Sequence, residues 1–308
     1  MQKLLLATTA LIASTTLANA QALTISGEGR MGVEYNSAGI AGGSNYQIEH
    51  RLTLDFNVAI EADHGLSFGA WTRARMQMGG GTPVIFNSNQ TGTFSGSRVW
   101  VEASGLRLTF GNMDGAIVAA GASHGWLGGC MVGYEGGIWC GDSAGLDTAV
   151  QVEPLVGAAP AQRAMVTYSI GNTNIAVSHD RGAATEIGVR SSFGAVTVAA
   201  GYATQTLVGS WTGGASLWTL SGHYDGGAWG VGAIAARSAG ITNWSVSGNV
   251  GLGGGDFYAY VGRVNGDGTY GLNYGYGLGG GATLTAGAER IGGVTNTTVA
   301  SVGVSFTF

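Results

Sequence analysis

The run YQIEHRLTLDFNVAIE, from Tyr46 to Glu61, alternates over its whole length. Its even positions are Tyr46, Ile48, His50, Leu52, Leu54, Phe56, Val58 and Ile60; its odd positions are Gln47, Glu49, Arg51, Thr53, Asp55, Asn57, Ala59 and Glu61. A period of two separates faces only in an extended chain, where successive Cβ atoms point to opposite sides; wound as a helix, the same residues would mix apolar and charged groups around the circumference. The segment is a strand with one greasy and one charged face. Asp63-His64-Gly65 supplies a tight turn, and beyond it Leu66, Phe68, Ala70 and Met76 alternate with Ser67, Trp71, Arg73, Arg75 and Gln77 to complete a hairpin.

The same reading extends in both directions. Strands are expected over 22–35, 46–61, 66–77, 97–104, 106–111, 162–170, 174–180, 185–193, 196–204, 216–224, 229–237, 242–251, 256–264, 269–278, 282–290 and 297–308, sixteen in all. Alternate connections are tight, as at Ser104-Gly105, Gly171-Asn172-Thr173, Asp225-Gly226-Gly227 and Gly279-Gly280-Gly281, and those between them are generally longer and more variable. With 58 Gly and 3 Pro in 308 residues, helices are disfavoured. Tyr, Trp, Phe and β-branched residues recur at strand-like intervals, which argues against a disordered Gly-rich chain. One all-β domain is expected.

The first twenty residues stand apart. Lys3, the mostly apolar stretch from Leu4 to Leu17 and Ala18-Asn19-Ala20 form the basic, apolar and A-x-A parts of a cleaved signal peptide, which makes 1–20 the leader and 21–308 the mature domain. No later stretch approaches the roughly 18 apolar residues a membrane helix needs, so a mature chain held in a membrane is held by strands. Lys3 is the only Lys, leaving 12 Arg against 18 acids and a formal charge of −6 in the mature domain, which argues against nucleic acid as a partner. Cys130 and Cys140, ten apart in an exported chain, are candidates for a local disulfide.

Alternation alone does not say which face is wet, because a soluble sandwich also hides one side of each strand. The end of the chain decides it: Ala300, Val302, Val304, Phe306 and the terminal Phe308 share one face, a pattern that looks like the insertion signal of outer-membrane barrels. Tyr35, Tyr46, Tyr202, Trp229, Trp244, Phe257, Tyr270 and Phe308 fall near expected strand ends, where they suit two interfacial girdles. The expected fold is a transmembrane antiparallel β-barrel of sixteen strands.

Phe110-Gly111-Asn112-Met113-Asp114-Gly115-Ala116 after the fifth strand, the long third connection that follows it, the strand count and Phe308 together resemble the alphaproteobacterial, Rhodobacter-type family of general diffusion porins. The resemblance spans essentially the whole mature chain. It implies a homotrimer of sixteen-stranded barrels in the outer membrane, in contact with its lipid and lipopolysaccharide, each with the third loop folded into its own pore. It also makes 79–95 the latch reaching a neighbouring subunit. The implied function is passive passage of ions and small hydrophilic solutes, without catalysis. Barrels of about sixteen strands independently suit a water-filled interior.

Residues 112–160 contain no strand pair and carry Asp114, Glu135, Asp142, Asp147 and Glu153 without any Arg or Lys. On the expected lumen side of strands one to five stand Arg30, Arg51, Arg73, Arg75, Arg98 and Arg107, half of the mature chain's Arg. With neighbouring strands about 4.8 Å apart, these guanidinium groups form one patch. A basic wall facing an acidic loop sets a transverse field across the pore, ordering polar solutes and disfavouring greasy ones. The competing role for the same arginines is pairing with Glu28, Glu49, Asp55 and Glu102 to hold register. Trp71 and Trp100 on the Arg face, and Trp126 and Trp139 in the loop, are either stacking surfaces for sugars or packing groups between loop and wall.

Other motifs carry no chemistry. Gly27-Glu28-Gly29-Arg30-Met31-Gly32 matches the dinucleotide fingerprint, but Val33-Glu34-Tyr35 continues a strand and no helix N-terminus follows to hold a pyrophosphate. Gly121-Ala122-Ser123-His124-Gly125 and Gly141-Asp142-Ser143-Ala144-Gly145 match G-x-S-x-G without the strand and helix a nucleophile elbow needs. His50, His64, His124, His179 and His223 show no metal-ligand spacing, so no metal or cofactor is expected, although Asp256 and Asp267 near loop tips offer the oxygens that Ca²⁺ takes. The alternatives to a general pore are a channel selective for sugars or anions and an outer-membrane barrel enzyme; a soluble Gly-rich adhesin lacks any fixed repeat and would not end in Phe308.

Overall fold

The computed structural model describes residues 22–40, 43–78, 89–94, 97–133, 140–146, 149–151, 163–207, 212–293 and 296–308. They form one antiparallel sheet closed on itself. Its strands are β1 (Ala22–Ile40), β2 (Ser44–Glu61), β3 (Ser67–Met78), β4 (Asn89–Phe94), β5 (Arg98–Ala103), β6 (Leu106–Gly111), β7 (Arg163–Ile170), β8 (Thr173–Asp180) and β9 (Thr185–Phe193). They continue as β10 (Val196–Ala203), β11 (Leu217–Asp225), β12 (Trp229–Ser238), β13 (Ile241–Leu252), β14 (Gly255–Val264), β15 (Asp267–Gly279), β16 (Ala282–Ile291) and β17 (Thr297–Thr307). β1 pairs with both β2 and β17, so the sheet has no free edge. Closure reaches the last residue, where Gly27 and Phe308 exchange both backbone hydrogen bonds at 2.9 and 3.1 Å.

β4 and β5 both pair with β3, β4 at Ala74–Met78 and β5 at Ser67–Trp71. They are two segments of one barrel strand, and the barrel has sixteen. The sequence places the start of this strand at 97; it begins at Asn89, because Asn89-Gln90-Thr91-Gly92-Thr93-Phe94 carries a single apolar residue and gives periodicity nothing to count. Of the expected latch over 79–95, the part 79–88 lies outside the described residues and 89–94 belongs to the barrel.

The connections β2–β3, β5–β6, β7–β8, β9–β10, β11–β12, β13–β14 and β15–β16 gather at one end of the barrel with Ala22 and Phe308, and β1–β2, β6–β7, β8–β9, β10–β11, β12–β13, β14–β15 and β16–β17 are joined from the opposite, loop end. Two loop-end connections are shorter than expected. Ala239-Gly240 joins β12 to β13 and Asn265-Gly266 joins β14 to β15, both with positive φ at each residue (49° and 84°, 54° and 93°). That conformation matches the twist of the flanking strands and lets two residues close a hairpin.

Faces invert those of a water-soluble protein. Ile48 is 80% exposed, Leu220 57% and Val261 52%, whereas Glu34, Glu49 and Glu289 are 2–3% exposed. Along the middle of the strands apolar side chains point outward and charged ones inward, which is the pattern of a sheet with hydrocarbon around it and water inside. Among the described residues no helix is long and apolar enough to cross a membrane. The glycines that mimic a dinucleotide motif serve the closing seam: rings of Phe308 and Phe306 lie where a Cβ on Gly27 or Gly29 would stand.

Candidate functional site: the lumen

Register places all six candidate arginines on the inward face. Arg30 stands opposite Arg51, Arg75 opposite Thr53, Arg73 opposite Asp55, Arg98 opposite Trp71 and Arg107 opposite Glu102. Like charges this close need local relief. Arg30 pairs with Glu28, Arg107 with Glu102 at 2.5 Å, and the Arg75 Nε donates to Thr53 Oγ1 at 3.1 Å. Indoles take part: the Arg98 guanidinium lies 4.0 Å above the Trp71 ring, with Arg73 at 5.5 Å from it, and Arg107 lies 4.4 Å above Trp100. Of these contacts Arg107–Glu102 and Arg75–Thr53 span neighbouring strands, and Trp71 and Trp100 hold guanidinium planes.

The third loop leaves β6 and lies against the opposite wall. Arg163, at the start of β7, donates to the Met113 carbonyl and pairs with Asp180 at 3.0 Å, fixing the loop's first turn. The single-turn helix α1 (Ala116–Ala119) follows, its first amide donating to Ser178 Oγ at 2.9 Å. Further on, Thr219 Oγ1 donates to the Ala122 carbonyl at 2.8 Å, Trp126 Nε1 to Asn249 at 2.6 Å, the Gly133 amide to Asn273 at 2.8 Å and Asn243 Nδ2 to the Ala144 carbonyl at 3.1 Å. The loop thus crosses β8, β11, β13 and β15, strand by strand.

Glu186 on β9 ties the ends of this excursion together. Its Oε2 accepts the Ile117 amide at 3.1 Å and its Oε1 the Gln151 amide at 2.9 Å. Two backbone donors far apart in sequence meet on one carboxylate, and a charged acceptor makes stronger bonds than a neutral one. Small residues on the same wall make room for the backbone. A Cβ at Gly188 would collide with the Ala116 carbonyl, at Gly230 with the Trp126 ring, and at Gly232 with the Gly125 carbonyl. These glycines form a bed for the loop.

The acidic candidates fare differently from expectation. Asp142, expected to face the pore, is 1% exposed: its carboxylate accepts the Cys130 amide at 2.7 Å, the Met131 amide at 2.9 Å and the Tyr258 hydroxyl at 2.9 Å. It organises the loop from within, as a short side chain flanked by unpaired amides in a turn can do. Asp114 is half-buried at the loop's start, and Glu135, Asp147 and Glu153 lie outside the described residues, as does Trp139. Cys130 and Cys140 are bonded to each other beside Asp142. Trp126 is 8% exposed and serves packing rather than solute stacking.

His124 in the loop has its pKa pushed down to about 4, by burial first and then by the Arg190 guanidinium and His223. Among the described residues no group of three His, Cys, Asp or Glu is placed to hold a metal ion. Asp256 and Asp267 sit at opposite ends of β14, about 30 Å apart at the rise of a strand, so the two cannot share one Ca²⁺. Glu186, Arg163, Asn243 and Asn273 escaped the sequence reading. Each is one polar residue at an inward position of a regular strand, and only the loop's path distinguishes it.

The chain matches the family model described as Gram-negative porin over residues 7–296. Among solved structures it is similar to a triple mutant of Rhodopseudomonas blastica porin, with 22% identity, 93% of this chain and 100% of that chain covered, and a TM-score of 0.74. The same identity, coverage and TM-score hold for a variant of that porin with an aspartate and a glutamate replaced by alanine. A further variant, with a lysine and an arginine replaced by alanine, matches at 22% identity and the same coverage with a TM-score of 0.72. No curated protein sequence matches the chain.

Proposed function

This chain belongs to the Gram-negative porin family, as a multi-pass β-barrel of the outer membrane that passes solutes by diffusion, and on that premise we propose that its arginine wall and third loop bound the constriction. One observation carries the reading: the described loop is bonded to β8, β9, β11, β13, β14 and β15, across the lumen from the wall that bears Arg30, Arg51, Arg73, Arg75, Arg98 and Arg107. Solutes pass between the two. Fixed charge on one side of a narrow aqueous path polarises it and favours hydrated polar solutes over apolar ones. With Asp142 turned into the loop, the wall from the level of Arg30 to that of Arg98 carries Arg30, Arg51, Arg73, Arg75 and Arg98 against Glu28 and Asp55, and keeps a net positive charge.

The driving force is the solute gradient, so the proposal needs no cofactor and no catalytic group. We take the leader 1–20 to be removed on export and the barrel to assemble as a homotrimer. In planar bilayers, the purified protein is expected to give stepwise conductance that rises in proportion to bulk electrolyte conductivity. Sugar entry into proteoliposomes should fall smoothly with sugar size. Saturable block by one sugar or one anion class would favour a solute-selective channel instead.

A further inference from the structure

The wall that carries the third loop has a small basic cluster of its own, across the lumen from the arginine wall. Arg190 on β9 and His223 on β11 face inward, and between them β10 presents only the small Ala199 and Thr197. Two strand spacings and one step of the pleat put their Cα atoms about 12 Å apart. His124 reaches into this gap from the loop: the point where a Cβ on Gly121 would stand lies 3.1 Å from Arg190 Nη1 and 3.8 Å from His124 Cε1. His223 hydrogen-bonds the Gly125 backbone and meets the Trp126 ring edge-on, with centroids 5.2 Å apart. All three basic side chains are half-buried, so water reaches them. Among the described residues no carboxylate pairs with Arg190. The acids nearby are engaged elsewhere. Asp142, on the return of the loop, accepts from the Cys130 and Met131 amides and the Tyr258 hydroxyl. Glu186, nearer the loop end of β9, holds the Ile117 and Gln151 amides, and Asp225, at the end of β11, accepts the Gly227 amide at 2.8 Å. At these levels β12 and β13 add Gly232, Ile234, Ser245 and Ser247, none of them charged.

We propose that Arg190, His124 and His223 form an oxyanion subsite against the side of the third loop that faces the short turns, and that it takes a tetrahedral dianion such as sulfate or phosphate. A guanidinium offers paired donors to an oxyanion, and an imidazole donates from both ring nitrogens once protonated. Here the donors converge from β9, from β11 and from the loop, three directions that suit an anion with oxygens on all sides better than a planar carboxylate. Without an anion these groups repel one another. Burial first, then Arg190 and His223, hold the His124 pKa down at about 4. A dianion among the three groups reverses that repulsion and draws a proton onto the imidazole. The bound state then holds more protons than the empty one, so affinity rises as pH falls from the ordinary histidine range toward about 4. The subsite rests on the reading of the lumen as a water-filled path and not on the arginine wall.

The test is isothermal titration of the purified protein in mild detergent with sulfate, which stays dianionic throughout, at about pH 8 and about pH 5. Sulfate should bind on the order of tenfold more tightly at the lower pH. R190Q should weaken binding about tenfold at the lower pH, and H124Q combined with H223Q should flatten the pH dependence. A variant combining R51Q, R73Q and R75Q, on the opposite wall, should keep the pH-dependent binding. If R190Q does not assemble, the wild-type pH comparison and H223Q alone decide. Equal affinity at the two pH values, unchanged affinity in an assembled R190Q, or loss of the pH-dependent binding in the opposite-wall variant would overturn the proposal, the last because sulfate would then sit among the wall arginines. The failures are distinguishable: an R190Q that binds sulfate like wild type, beside a conducting channel, removes this subsite and leaves the pore standing, whereas a protein that gives no conductance removes the pore itself.

Discussion

Glu186 holds two amides that lie 34 residues apart in the chain, one at the start and one at the return of the third loop. Glu186→Gln keeps the shape and removes the charge, at a cost on the order of 2 kcal/mol to loop docking, because bonds to a charged acceptor are worth more than neutral ones. Open-channel current noise should rise while the barrel still assembles; a quiet channel would contradict the role. Gly230→Val sets a side chain where the Trp126 ring lies and should cost about 1–3 kcal/mol of overpacking. A shift in intrinsic tryptophan fluorescence is the check. His124 adds a pH dependence. Its folded pKa, about 4, lies below the ordinary 6.5, so the unfolded or undocked loop binds the proton more readily, and docking weakens as pH falls through that window. Current fluctuations should therefore grow between about pH 6.5 and pH 4 and be smaller in His124→Gln. Glu186 and Gly230 were illegible in the sequence because a lone Glu or Gly in an alternating strand has the same local signature whether a loop lies on it or water does, and His124 sits in a loop with no period to read.

Elements were far more legible, because a strand writes its own period. Tyr46–Glu61 alternates in the sequence and its two faces separate in the barrel with the same parity, so the inward side of β1, β2, β3, β5 and β6 could be read before any pairing was known. β4 was missed where polar residues occupy both faces of the sequence. Asp142 was misplaced because acidity in a loop says nothing of direction, and its three donors come from Cys130, Met131 and the distant Tyr258. The disulfide between Cys130 and Cys140 closes a small ring beside that carboxylate. Replacing both with Ser should weaken the loop by about 2–3 kcal/mol and leave the strand ladder intact. Assembly judged by band shift on boiling should then match wild type while noise or solute flux increases. Loss of assembly would mean that the staple supports the barrel itself.

At the scale of the whole molecule, sixteen strands joined edge to edge satisfy every ladder and leave an interior wide enough for water, with one wall taken up by the loop and the other by guanidinium groups. A trimer resistant to detergent until boiled is expected from such closure; a monomer at all concentrations in mild detergent would remove the oligomer from the account. The charge of the arginine wall is read out by the reversal potential in a KCl gradient. Changing Arg51, Arg73 and Arg75 to Gln removes three positive charges from a confined aqueous space, where screening is weaker than on an open surface. The reversal potential should shift toward cation preference, with Asp142→Asn leaving it nearly unchanged because that carboxylate is turned into the loop. A triple variant that assembles, conducts and reverses at the wild-type potential would contradict the assignment of the constriction to this wall.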